Sequence, residues 1–159
     1  MAVEKVKAFF ARFGMESRVM EFEESCATCE LAAQAIGCEP ARIAKTLSFM
    51  VDGAPILVVA PGDTRIDNAK FKAQFHTRPK MLSYEQAAEL IGHAVGGVCP
   101  FAVNEGVAIY LDESLRRFDT VVPSAGSSNS LVELSIPELE RFAQPAGWVD
   151  VCKIVEPSS

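Results

Sequence analysis

A hairpin in the first half of the chain constrains the fold most. Ile43 to Val51 has the β-branched and aromatic content of a strand, Asp52-Gly53 is a two-residue turn signal, and Pro55 to Ala60 runs back as the partner strand. Asp-Gly suits such a turn because both central residues need positive φ, which glycine takes without steric cost and aspartate tolerates. One residue breaks the apolar run. Lys45 shares strand parity with Ile43, Leu47 and Phe49, so its side chain points to the apolar side.

The other elements are read around this hairpin. Val3 to Phe13 carries a helical apolar stripe, and Gly14 follows as a stop. Arg18 to Phe22 alternates like a strand. Thr28 to Ile36 reads as an alanine-rich helix ended by Gly37, and Asp67 to Phe75 as a short helix carrying Lys70 and Lys72. Ser83 with Gln86 three residues later is a capping-box pattern for a helix reaching Ile91. Val107 to Leu111, Asp119 to Pro123, Ser130 to Leu134 and Trp148 to Val151 read as strands. Ser135, Pro137 and Glu138 open a last helix. Hairpins interleaved with helices, without strict alternation, predict an α+β fold. Its sheet is expected to be mixed, largely antiparallel and barrel-like, flanked by helices.

The 159 residues fit one domain, taken as 1–155, and 49% hydrophobic with 23% charged residues is a globular composition. No window has the roughly eighteen consecutive apolar residues of a membrane helix, and the start lacks a secretory pattern. The expectation is a cytoplasmic protein without membrane association. The odd set Cys26, Cys29, Cys38, Cys99 and Cys152 then reads as free thiols. A net charge of −6 disfavours a long duplex such as DNA as partner. Residues 65–80, however, place Arg65, Lys70, Lys72, Arg78 and Lys80 against the single acid Asp67. A local basic strip on an acidic body suits a ligand with a few phosphates.

Candidate chemistry sits in four places. Lys45 either forms the cationic floor of a pocket or packs its stem and lets the ammonium reach the rim. The loop Gly96-Gly97-Val98-Cys99-Pro100 offers backbone amides that a ligand can approach closely, enough to hold a carbonyl or developing oxyanion. Ser124 to Ser130 is a small polar loop that either lines a pocket or is a solvated turn. Cys26 and Cys29 form a Cys-x-x-Cys pair, but no second close pair completes a zinc site, so no metal and no cofactor is expected. No serine nucleophile elbow or phosphate-binding glycine loop is present.

Three segments together resemble the YbaK/ProX family, which includes the editing insertion of bacterial prolyl-tRNA synthetases. They are Cys26 to Gly37, Ile43-Ala44-Lys45-Thr46-Leu47, and Gly96-x-x-x-Pro100. The resemblance implies an aminoacyl-tRNA deacylase that hydrolyses the ester at the terminal adenosine of a mischarged tRNA. Lys45 would meet the terminal phosphate or orient the ester, and backbone amides along the loop that runs from Gly96 through Gly97, Val98 and Cys99 to Pro100 would hold the carbonyl. Thr28, Thr46, Ser127, Ser128, Asn129, Lys70 and Lys72 would contact the substrate. Water and a ribose hydroxyl would do the chemistry without a protein nucleophile. Some alanine-editing relatives carry a histidine near the positions of Ser127, Ser128 and Asn129, which this chain lacks. It therefore looks closer to the YbaK branch, with a cysteine- or alanine-type amino acid on tRNA for proline or a similar tRNA. No synthetase catalytic domain is read here, so the editing would act in trans, with a synthetase as a further partner. The alternatives are a non-catalytic aminoacyl-tRNA or nucleotide binding module, and a thiol or zinc protein built on Cys26 and Cys29.

Overall fold

A computed structural model describes residues 2–26, 28–93 and 98–155. The hairpin is its centre. Strand β2 (Ile43–Val51) pairs antiparallel with β3 (Ala54–Pro61) over eight residue pairs, from Ala44 opposite Pro61 to Val51 opposite Ala54. Asp52 and Gly53 take φ of 51° and 78°, the double positive φ of a tight hairpin turn. The remaining strands are β1 (Val19–Glu21), β4 (Thr64–Ile66), β5 (Ala108–Asp112), β6 (Thr120–Pro123), β7 (Ser130–Val132), β8 (Leu134–Ser135), β9 (Gly147–Val149) and β10 (Cys152–Ile154). The main sheet has the order β8-β6-β2-β3-β5-β9 and curls into a half-barrel. The antiparallel pairs β1–β7 and β4–β10 lie apart from it. Four of the seven pairings are antiparallel and three are parallel, so the fold is the expected mixed α+β.

Helices cover both faces. They are α1 (Ala2–Ala11), α2 (Cys29–Ile36), α3 (Asn68–Phe75), α4 (Tyr84–Gln86) and α5 (Ile136–Ala143); α4 continues as a π turn through Ile91. Alternate residues of β3 serve different cores. Leu57 and Val59 join Val6, Phe10, Ile91, Leu139 and Phe142 on one side. Ile56, Val58 and Ala60 join Phe49, Phe71 and Phe75 of the α3 side. A third, smaller cluster packs Ala32 and Ala33 of α2 over Ile43, Val122 and Leu131. Burial on both faces explains why β3 reads as an unbroken apolar run.

Helix starts follow their caps. Thr28 Oγ1 accepts the Leu31 amide at 3.1 Å and Asp67 Oδ1 accepts the Ala69 and Lys70 amides at 3.0 and 3.1 Å. Ser83 with Gln86, and Ser135 with Glu138, form reciprocal capping boxes. Each predicted helix exists with its ends moved by a few residues. Strands β4 and β10 and the 3₁₀ turn Glu113–Arg117 are additions, too short for a periodic signal.

His93 and Phe101 tie the two ends of the 94–97 segment together. Nε2–H of His93 donates to the Phe101 carbonyl at 2.8 Å, and Cys99 Sγ lies 3.6 Å from the same nitrogen. Phe101 is locked in turn against Phe10, ring centres 5.0 Å apart. Burial holds the His93 imidazole below its ordinary pKa, with the bond to Phe101 opposing. The folded ring is therefore neutral, and unfolding takes up a proton as pH falls through the ordinary histidine range. Urea denaturation should show stability falling from pH 7 to pH 5, by at most about 1.4 kcal/mol per pH unit for this one proton. His93→Gln should flatten that slope; an unchanged slope would place the proton uptake elsewhere.

Candidate functional site

The β2 edge facing away from β3 is paired at both ends and open between them. Parallel β6 reaches only Ile43 and Ala44. At the other end the Met50 amide donates to the Lys80 carbonyl at 2.9 Å, and the Leu82 amide to the Ser48 carbonyl at 3.1 Å. Since the N–H and C=O of alternate residues point to the same edge, those of Thr46 face the gap with the outward groups of Ser48 and Met50. A cavity of about 360 Å³ occupies this gap, lined by residues of β2, the segment before and into α2, residues 81–87, Val98 and Ser124.

Lys45 is the only charged residue among the described residues that line it. Its side chain is half-buried and its ammonium donates to the Thr64 carbonyl at the start of β4. It lies on the same strand face as Leu47 and Phe49, as its parity requires. Its charge is felt by both Cys29 of α2 and Cys152 of β10, which places it at the seam between the α2 and α3 clusters. Gly62 makes that seam possible. A Cβ there would stand 2.1 Å from the Pro40 carbonyl oxygen and 3.2 Å from Cys29 Cβ, so only glycine lets the β3–β4 turn close under α2. Beside Lys45, the Thr46 hydroxyl is buried and has no hydrogen-bond partner among the described residues. A buried unpaired hydroxyl is costly unless a ligand or water completes it.

The predicted site residues divide. Lys45, Thr46, Thr28 and Val98 come together around the cavity. Gly96 and Gly97 lie outside the described residues. Cys99 and Pro100 are buried, Cys99 within the main core, so of the described loop residues Val98 alone reaches the cavity.

Ser127, Ser128 and Asn129 do not line the cavity; they fasten a neighbouring segment. Ser127 Oγ bonds Asn129 Oδ1 at 2.8 Å and meets Ser130 Oγ at 2.7 Å. Asn129 Nδ2 donates to the Phe22 carbonyl at 2.7 Å, and the Ser128 carbonyl accepts the Cys26 amide. The loop thereby fixes residues 22–26, which bring Cys26 and Thr28 to the cavity wall; from this loop Ser124 lines it. Lys70 is bound to Asp150 at 3.0 Å and to the Cys152 carbonyl at 3.1 Å, and Lys72 is exposed on α3; neither lines the cavity.

Met81, Tyr84 and Ser48 are lining residues that sequence reasoning did not single out, whereas Ser124 belongs to the 124–130 loop read as a candidate lining. For Tyr84 a signal existed: the Ser83–Gln86 capping box sets it at the first helical position, next to the strand edge.

Cys26 and Cys29 both line the cavity as free thiols, each with its pKa raised by burial, Lys45 opposing at Cys29. No group of three or more His, Cys, Asp or Glu residues able to hold a metal occurs among the described residues. No helix among them is long and apolar enough to cross a membrane.

Residues 23–142 match the aminoacyl-tRNA editing domain family, and the chain belongs to that family. The Bacillus subtilis protein YwhH, described as uncharacterized, is 46% identical over 154 residues, spanning 96% of this chain and 98% of that one. The proline–tRNA ligase of Leuconostoc citreum is 31% identical over 102 residues, 64% of this chain but 18% of the ligase. The fold superposes with a TM-score of 0.86 and 27% identity on a crystal structure described as a candidate trans-editing enzyme for prolyl-tRNA synthetase, covering 96% of this chain and 97% of that one.

The thiols give a direct check on the cavity. Cys29 and Cys38 are partly exposed, whereas burial pushes Cys99 and Cys152 up to about 12. A thiol reagent at pH 8 should modify the partly exposed Cys29 and Cys38 ahead of the buried cysteines, which react only after denaturation. A small aminoacyl-adenosine analogue should protect Cys29 and leave Cys38 reactive. Equal reaction of all five thiols in the native protein would contradict the packing described.

Proposed function

We propose that the cavity takes the aminoacylated 3′ end of a tRNA and hydrolyses the ester linking a wrongly attached small amino acid to the terminal ribose. The observation that carries this is the half-buried Lys45, the sole charge among the described residues lining the cavity on the open β2 edge. An ammonium held in a partly dry wall acts more strongly on a phosphate or a developing oxyanion than one in water, and it is oriented before the substrate arrives.

In this reading Lys45 meets the terminal phosphate or the ester oxygen, and the backbone amides of Gly96, Gly97 and Val98 hold the carbonyl. Thr46 and Thr28 hydroxyls orient the substrate. A water oxygen bonds to the ester carbon and the bond to the ribose oxygen breaks. The ribose oxygen takes one proton, the amino acid leaves as carboxylate, and one proton is released. A neighbouring ribose hydroxyl orders the water. The thiols of Cys26 and Cys29, held protonated by burial, take no part. The described lining is largely apolar and has no carboxylate, which suits a small neutral side chain of the cysteine or alanine type. Family membership and the likeness to proline–tRNA ligases support tRNA for proline as carrier, charged by a separate synthetase and edited in trans. Lys72, exposed and outside the cavity, contacts phosphates farther from the ester.

The test is deacylation of alanyl-, cysteinyl- and seryl-tRNA for proline by the parent protein and by Lys45→Ala. Hydrolysis of at least one substrate is expected, falling about 100- to 1000-fold in the variant, the scale of one preorganised electrostatic group. Near-parental activity in folded Lys45→Ala would remove the assigned role. No turnover by the parent, with retained tRNA binding, would favour a binding module.

A further inference from the structure

The cavity mouth carries groups that ester chemistry leaves unused. Tyr84 and Met81 line the cavity, yet they are 75% and 60% exposed. A single exposed apolar side chain is ordinary, but this ring stands on a fixed backbone. The Gln86 amide donates to Ser83 Oγ at 3.1 Å and the Ser83 amide to Gln86 Oε1 at 2.9 Å, bracketing Tyr84. Just upstream, the Lys80 and Leu82 hydrogen bonds to Met50 and Ser48 clamp the chain to the β2 edge. The ring stacks on no other aromatic side chain among the described residues.

Next to it in the chain, Arg78 and Lys80 are exposed and form no ion pair among the described residues. Lys7, Arg18, Arg42, Lys70, Arg116 and Arg117 are all paired with carboxylates. A pre-ordered aromatic face at the opening and two exposed cations without ion pairs, four and six residues before it in the chain, thus lie on one segment. Two exposed apolar residues, separated by buried Leu82 and polar Ser83 and flanked by Lys80 and Glu85, make too small a patch for a protein partner, which needs several hundred Å² of contiguous surface. They match one nucleotide, with its base on the ring and its phosphate on the cations.

We propose that Tyr84 is the stacking platform for the terminal base of the RNA 3′ end, with Lys80 and Arg78 facing the phosphates that precede it. This rests on the cavity as the ester site. On a ribose esterified at its 2′ or 3′ oxygen, the base leaves from C1′ on the other side of the ring. An ester at Lys45 therefore directs the base outward to the mouth. Stacking on a single ring is tolerant of base identity and depends on the base being unpaired, as it is at a single-stranded end.

The test is a double-mutant cycle read by binding alone. The probe is a 5′-labelled uncharged RNA ending in CCA, and the same RNA with an abasic terminal ribose, titrated with the parent, Tyr84→Ala and Tyr84→Phe. Removing the base should weaken parental binding about 5- to 150-fold, the range of one base–aromatic stack. Tyr84→Ala should weaken binding of the intact RNA by a similar factor and bind both RNAs alike, while Tyr84→Phe keeps the base dependence. Lys80→Ala and Arg78→Ala should each lower the slope of log affinity against log salt by about 0.7. Additive losses from ring and base, no effect of Tyr84→Ala, or no measurable RNA binding by the parent would overturn the proposal. Because no step of the titration involves hydrolysis, a base-dependent binder without deacylase activity would sink the hydrolytic reading and keep the platform. A deacylase with an additive cycle would do the reverse.

Discussion

The eight-pair contact between β2 and β3 is the interaction on which the rest of the structure depends. It sends alternate side chains of one strand into two different cores, so the helices on both faces are positioned by the same two strands. It also fixes Lys45. Once the register is set by the Asp52-Gly53 turn, Lys45 must stand opposite Ala60 and face the α3 side. A slip of one residue would turn the ammonium into the main apolar core, where burial without a partner is prohibitive.

The site arises where this order is interrupted. Along its outer edge β2 is paired at Ile43–Ala44 and again from Ser48, and the unpaired stretch between them is the cavity wall. An open edge is ordinarily a liability because its N–H and C=O groups invite pairing with another chain. Here the gap is only about three residues long and is flanked by α2 and the 81–87 segment, so it admits a small extended ligand rather than a strand. Lys45 sits at the seam between two hydrophobic clusters and is steadied by the Thr64 carbonyl, which Gly62 allows to come close.

The hairpin was legible because its turn and its strands agree, and the capped helices because side-chain caps are local in sequence. Lys45 stood out as the one charge in an apolar strand, and its neighbour Thr46 came with it. What sequence could not supply is non-local. Thr64 and Cys152 meet Lys45 only through the short pair β4–β10, whose three-residue strands carry no periodic signal. Ser127, Ser128 and Asn129 looked like pocket hydroxyls, but whether a hydroxyl faces a ligand or the backbone of residues 22–26 is decided by packing. Lys70 counted toward a basic strip, yet Asp150, distant in sequence, neutralises it. Cys99 belongs to a candidate loop, and the contact of its side chain with His93, which buries that side chain in the core, is likewise set by packing.

The gap beside Lys45 is the proposed binding place of an aminoacyl ester. Its most direct test is a titration of ¹⁵N-labelled protein with an amide-linked, non-hydrolysable aminoacyl-adenosine, following backbone amide shifts. The largest changes are expected at Thr46, Val98 and Thr28. Unmoved resonances there, with changes concentrated on α3 and the β4–β10 pair, would contradict it.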